Sequence, residues 1–126
     1  MANHAPVLVV DDDAVSRHVL AQALGGAGLA TAVVTSGAEA LAWLGRHTPC
    51  LVLLDLVMPP PDGFTVLKSL RSDPRTTAMR IVYLTAMLPA GETSMTLEGG
   101  FGGHLAISKS ASMDALVRLV EEALAS

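Results

Sequence analysis

Leu51-Val52-Leu53-Leu54-Asp55-Leu56-Val57-Met58-Pro59-Pro60-Pro61-Asp62-Gly63 decides how the whole chain is read. Its four leading apolar residues are too few for a helix that must stop before three prolines, so they read as a strand buried on both faces. Asp55 ends that strand. Proline has no backbone N–H and cannot continue a central strand, so the chain leaves the sheet after Asp55 and turns before Asp62-Gly63. A carboxylate is thereby held at a sheet edge in front of a stiff loop.

The same ending recurs in other apolar runs. Val7-Leu8-Val9-Val10 runs into Asp11, Asp12 and Asp13; Ile81-Val82-Tyr83-Leu84 runs into Thr85; Leu105-Ala106-Ile107 runs into Ser108 and Lys109. Taken singly, each of these polar residues reads as a helix cap or a solvated side chain. Together they deliver carboxylates, a hydroxyl and an amine to one edge. In open parallel sheets that edge, outside the carboxyl ends of the strands, is where ligands bind.

Outward from these runs, the chain alternates strand and helix. Asp13 or Ser16 caps a first helix with an apolar spacing at Val15, Val19, Ala23 and Ala27, widened by Leu20 and Leu24. Ala30 to Val34 form a strand, and Ser36-Gly37-Ala38-Glu39 has the form of a capping box before a helix through Leu41 and Leu44. Trp43, without an aromatic neighbour in sequence, reads as partial packing. Phe64, Leu67 and Leu70 mark a helix that Ser72-Asp73-Pro74 ends. Glycines 99, 100, 102 and 103 leave at most a short helix between Glu92 and Glu98. Met113, Leu116, Val117, Val120 and Leu124 line a last helix capped by Ser110 or Ser112.

Five alternations predict an α/β fold: a doubly wound, five-stranded parallel sheet with right-handed crossovers and helices on both faces. The flavodoxin-like strand order 2-1-3-4-5 sets the first and third strands side by side, which gathers Asp11, Asp12 and Asp55. The 126 residues suit one domain, with no output domain in the sequence, and the 51% hydrophobic and 16% charged content suits a sheet covered on both sides. A net charge of -4 with only two lysines, Lys68 and Lys109, argues against a nucleic-acid surface. The lone cysteine, Cys50, forms no internal disulfide and fits a reducing compartment. No secretion signal or membrane-length apolar run is present, so a cytoplasmic protein without membrane contact is expected.

Crowded carboxylates repel and call for a counter-charge. Oxygen donors without histidine suit Mg²⁺ rather than zinc. Beside such a cation Asp55 can act as a nucleophile toward a phosphoryl group, with Thr85 and Lys109 placed to bind its oxygens.

The ordered set Val9-Val10-Asp11-Asp12-Asp13, Leu53-Leu54-Asp55-Leu56-Val57-Met58-Pro59, Asp62-Gly63 and Leu84-Thr85-Ala86 resembles the receiver domain of two-component response regulators over nearly the whole chain. The resemblance implies Asp55 as phosphoacceptor, Asp11, Asp12 and the Val57 backbone carbonyl as Mg²⁺ ligands, and Thr85 as the switch hydroxyl. It implies a histidine kinase or histidine phosphotransfer protein as donor and a protein target downstream. It also implies a phosphoacceptor that takes part in its own phosphorylation and dephosphorylation rather than an enzyme.

Near its end the chain departs from the family pattern. Counted without gaps from Thr85, His104 falls on the aromatic switch position, and Ile107-Ser108 stands where the family has Lys-Pro. A two-residue insertion around Ile107-Ser108 would instead give Lys109 the family's lysine role, and it recovers the spacing into the last helix. The residues two after Asp55 and two after Thr85, which flank the path of a hydrolytic water in the family, are Val57 and Met87. Neither side chain can hydrogen-bond a water, which implies a slowly lost phosphoryl group.

Other classes fit less well. A receiver-fold interaction module that signals without phosphorylation is suggested by the irregular lysine region. A haloacid-dehalogenase-like phosphatase needs a second acid where Val57 stands. A flavodoxin needs a phosphate-binding loop where Asp11, Asp12 and Asp13 would repel it.

Overall fold

A computed structural model describes residues 5–55, 59, 63–76, 79–85, 95–96, 105–108 and 112–125. In chain order these form β1 (Val7–Val10), α1 (Ala14–Gly26), β2 (Thr31–Val34), α2 (Gly37–Leu44), β3 (Leu51–Asp55) and α3 (Gly63–Ser72). There follow β4 (Ile81–Thr85), β5 (Met95–Thr96), β6 (Leu105–Ser108) and α4 (Met113–Ala125). The sheet order is β2-β1-β3-β4-β6-β5. All pairings are parallel except that of β5 with β6. The expected five-stranded parallel order is therefore present, with β6 as its fifth strand.

The sixth strand corrects the expectation of a short helix between Glu92 and Glu98. Met95 and Thr96 instead lie antiparallel against Ala106 and Leu105. Nucleating an isolated helical turn is unfavourable for so short a segment beside glycines, whereas the open edge of β6 offers backbone partners at once.

Strand alternation sends successive side chains to opposite faces. Val7, Val9, Leu51, Leu53, Val82 and Leu84 pack with Leu20 and Leu24 of α1 and with Leu116, Leu119 and Val120 of α4. Leu8, Val10, Val52, Leu54, Ile81 and Tyr83 pack with Ala40 and Leu44 of α2 and with Val66, Leu67 and Leu70 of α3. Each fully buried Val or Leu contributes about 1.5–3 kcal/mol relative to exposure. This two-sided burial is why the strands read as unbroken apolar runs.

The inner face of α1 is centred on Leu20 and Leu24, which are buried, while Val15 and Val19 are 71% and 38% exposed. The predicted Val15-Val19-Ala23-Ala27 stripe is thus the outer flank, because the bulkier leucines win the place against the sheet. After α1 the chain turns at Gly28, whose φ of 85° favours glycine. The amide of Leu29 returns to the Leu24 carbonyl at 3.0 Å, closing the helix end. Trp43 is partly buried against the α2/α3 core and lies 4.8 Å from the His47 ring. Ser112 caps α4, accepting from the Ala115 amide at 3.1 Å; Ser110 lies outside the described residues. No described helix is long and apolar enough to cross a membrane.

Candidate metal and phosphoacceptor site

The register of the two central strands builds the site. Val7 to Val10 pair with Leu51 to Leu54, so Asp11 and Asp55 are the next residues along neighbouring strands. Asp11 follows the alternation of Val7 and Val9, and Asp55 that of Leu51 and Leu53, so both carboxylates fall toward the α1/α4 face. Adjacent strands lie about 4.8 Å apart. Carboxylate oxygens of Asp11, Asp12 and Asp55 accordingly all lie within 4.8 Å of one another, the one such cluster among the described residues.

Their environments differ. Asp11 is 0% exposed and Asp55 1%, whereas Asp12 is exposed and marks the open side of the cluster. The Asp11 amide donates to the Val34 carbonyl at 3.3 Å, carrying the β1–β2 pairing one step further. The Asp11 carboxylate accepts from the Asp13 amide at 3.0 Å and from the Ser16 hydroxyl at 2.7 Å. Arg17 donates to the Asp11 carbonyl at 3.1 Å. Asp13, not Ser16, caps α1, accepting from the Ser16 amide at 3.2 Å. The positive end of the α1 dipole therefore lies beside the acids.

Sequence reading found all three acids but missed Ser16 and Arg17 as their supports. The missed signal was spacing: a residue in the first turn of a helix that starts beside Asp11 can reach back to it.

Thr85 ends β4 in register with Ser108, one step beyond the pair Asp55 and Leu84. Ile107 stands beside Leu84, and pairing is unbroken from Val82↔Leu105 to Thr85↔Ser108. Either alignment of this stretch is compatible with that pairing, because a two-residue shift keeps each side chain on its own face of the sheet. Val57, Met87, His104 and Lys109 lie outside the described residues. Cys50 is away from the acids, and burial pushes its thiol up, consistent with an unreactive structural residue.

The response regulator receiver domain family matches residues 7–121. The chain belongs to this family. The receiver is 36% identical over 101 residues to the response regulator PleD of Caulobacter vibrioides, covering 80% of this chain and 22% of PleD. It is 40% identical over 99 residues to the DNA-binding response regulator MtrA of Mycolicibacterium paratuberculosis, covering 79% of this chain and 43% of MtrA. The chain thus spans less than half the length of both relatives. MtrA's name states that it binds DNA, so family membership does not by itself exclude nucleic acid.

Among solved structures, the Francisella response regulator 1452 receiver domain superposes with a TM-score of 0.80 at 26% identity, covering 96% of this chain and 97% of that one. Chemotaxis protein CheY4 of Vibrio cholerae shares the fold, with a TM-score of 0.79 at 22% identity over 96% of this chain and 99% of that one. Receiver domains bind Mg²⁺ at an acidic cluster, and the three carboxylates here fit that ion: hard oxygens, two of them buried and one open to solvent.

Proposed function

We propose that this receiver accepts a phosphoryl group on Asp55 in a Mg²⁺-dependent reaction. The donor is a phospho-histidine of a kinase or phosphotransfer protein, and the output is phosphorylation-dependent binding of a protein target. The observation that carries the reading is Asp55 itself. It is a nearly fully buried carboxylate at the end of the central strand, sharing a 4.8 Å cluster with Asp11 and Asp12. A lone buried carboxylate is costly, and a cluster of three favours a cation-assisted, charge-transferring role over a structural one.

In the reaction a carboxylate oxygen of Asp55 attacks phosphorus. The O–P bond forms as the N–P bond breaks, and the N–P electron pair returns to the imidazole, which takes up a proton. Asp11, Asp12, Asp55 and the Val57 carbonyl would hold Mg²⁺, which when bound offsets charge on the transferring oxygens. Thr85 supplies a hydroxyl at the end of the neighbouring strand. In this reading Lys109 acts from two residues beyond Ile107, which itself holds the strand position beside Leu84. The protein is a phosphoacceptor and not a turnover enzyme.

Intact-mass measurement after acetyl phosphate treatment with Mg²⁺ tests the reading. One phosphoryl adduct is expected on the wild type and none on Asp55→Asn or in excess chelator. An equal adduct on Asp55→Asn would overturn it. An unmodified wild type would favour the interaction module that signals without phosphorylation.

A further inference from the structure

Each oxygen of the buried Asp11 carboxylate takes a donor from the start of α1. Oδ1 accepts from the Asp13 amide at 3.0 Å, and Oδ2 from the Ser16 hydroxyl at 2.7 Å. One donor per oxygen fixes the rotation of the carboxylate plane. An ionised carboxylate has about four lone-pair sites, so accepting these two bonds does not by itself bar a cation. The Asp13 bond engages Oδ1 and the Ser16 bond Oδ2, so losing the hydroxyl loosens the carboxylate against the charges of Asp12 and Asp55.

We infer that Ser16 is a positioning residue for divalent-cation binding: its hydroxyl holds the Asp11 carboxylate in the orientation that faces Asp12 and Asp55. This rests on the Mg²⁺ reading above. An opposing effect exists, because the hydroxyl also takes up part of the Asp11 charge, and its removal would leave more for the cation. A hydrogen bond kept in both free and bound states largely cancels from the binding equilibrium. A lost orientation does not cancel, since it must be restored on each binding event. Orienting partners of metal ligands typically account for about 10–100-fold in affinity, and the remaining Asp13 amide places Ser16 at the lower end.

Ser16→Thr and Ser16→Val are matched in shape and differ in the hydroxyl, so calorimetric Mg²⁺ titration of the unphosphorylated variants isolates it. The expected result is a Kd raised about tenfold in Ser16→Val and close to wild type in Ser16→Thr. Ser16→Ala should match Ser16→Val, and circular dichroism without metal checks that each variant is folded. Wild-type Kd in both Val and Ala variants, or equal weakening in Thr and Val, would overturn the positioning role alone. Absence of Mg²⁺ binding by the wild type would overturn the metal reading and this inference with it.

Discussion

Asp11 and Asp12 are consecutive residues with opposite surroundings. Asp11 is buried and anchored to α1 through Ser16, Asp13 and Arg17, while Asp12 faces solvent at the mouth of the cluster. Asp12→Ala is therefore expected to weaken Mg²⁺ binding by well over about tenfold, more than ~1.4 kcal/mol, with a smaller loss for Asp11→Ala that still exceeds that of Ser16→Val. Without metal, the loss of one of three crowded charges should leave Asp12→Ala as stable as the wild type or more so. Mg²⁺ titration and thermal unfolding in chelator check both halves, and unfolding of the metal-free variant would mean that the acids serve the fold. A second residue-scale expectation rests on Val57 and Met87. Met87→Glu or Val57→Asn should speed loss of the phosphoryl group roughly tenfold, about 1.4 kcal/mol of barrier, read as decay of the phospho-protein mass. The acids were legible in sequence because each ends an apolar run. Ser16 was not, because a serine in a first helical turn has the same sequence signature whether it caps the helix or reaches back to a neighbouring strand end.

Among the elements, α2 shows how a cap can be right in type and different in partner. Ser36 accepts from the Glu39 amide at 3.1 Å as a capping box requires, but Glu39 returns to the Thr35 amide and hydroxyl, at 2.6 and 2.7 Å, instead of to Ser36. These bonds hold the Glu39 carboxyl below its ordinary value of 4.5, the Thr35 amide first among the causes. A depressed carboxyl stabilises the fold above its unfolded-state value, and that contribution fades as pH falls through the lower folded-state value. The stability gap between wild type and Glu39→Gln should accordingly be steady near neutrality and close as pH falls below 4.5. Urea midpoints measured across that range check it, and a gap that widens in acid would reverse the assignment. Strands were the most legible elements, since burial on both faces writes an apolar run that periodicity alone detects. Helix faces were less so: in α1 every third or fourth residue is apolar on two adjoining flanks, and only packing against Val9 and Leu53 distinguishes the leucine flank from the valine one. Two-residue β5 was illegible because its pairing depends on a partner nine or more residues away and on no pattern of its own.

At the scale of the molecule, the α2/α3 face of the sheet buries Tyr83, the chain's single tyrosine, completely. Burial pushes its phenol up to about 12 from an ordinary 10.0, with Arg71 opposing slightly. The neutral phenol suits the fold, so this contribution is whole below pH 10 and is lost as pH rises from there toward the folded-state value. Phenolate absorbance should stay silent until the protein unfolds or pH nears that upper limit, and Tyr83→Phe should flatten the alkaline fall in stability. An early absorbance rise in a folded sample would contradict it. The central strand has a further consequence. β3 is hydrogen-bonded on both sides, to β1 and β4, and all five of its residues are buried. Amides in such a strand exchange with deuterium only when the whole domain opens. The strand that carries Asp55 is thus the part least able to report what happens there. Isotope uptake at Leu51 to Leu54 should follow global stability in either phosphorylation state, and any local change in protection should emerge in segments outside β3. If Asp55 takes the phosphoryl group, the event and its readout are expected to be separated in space, with β3 as a rigid anvil under Asp55.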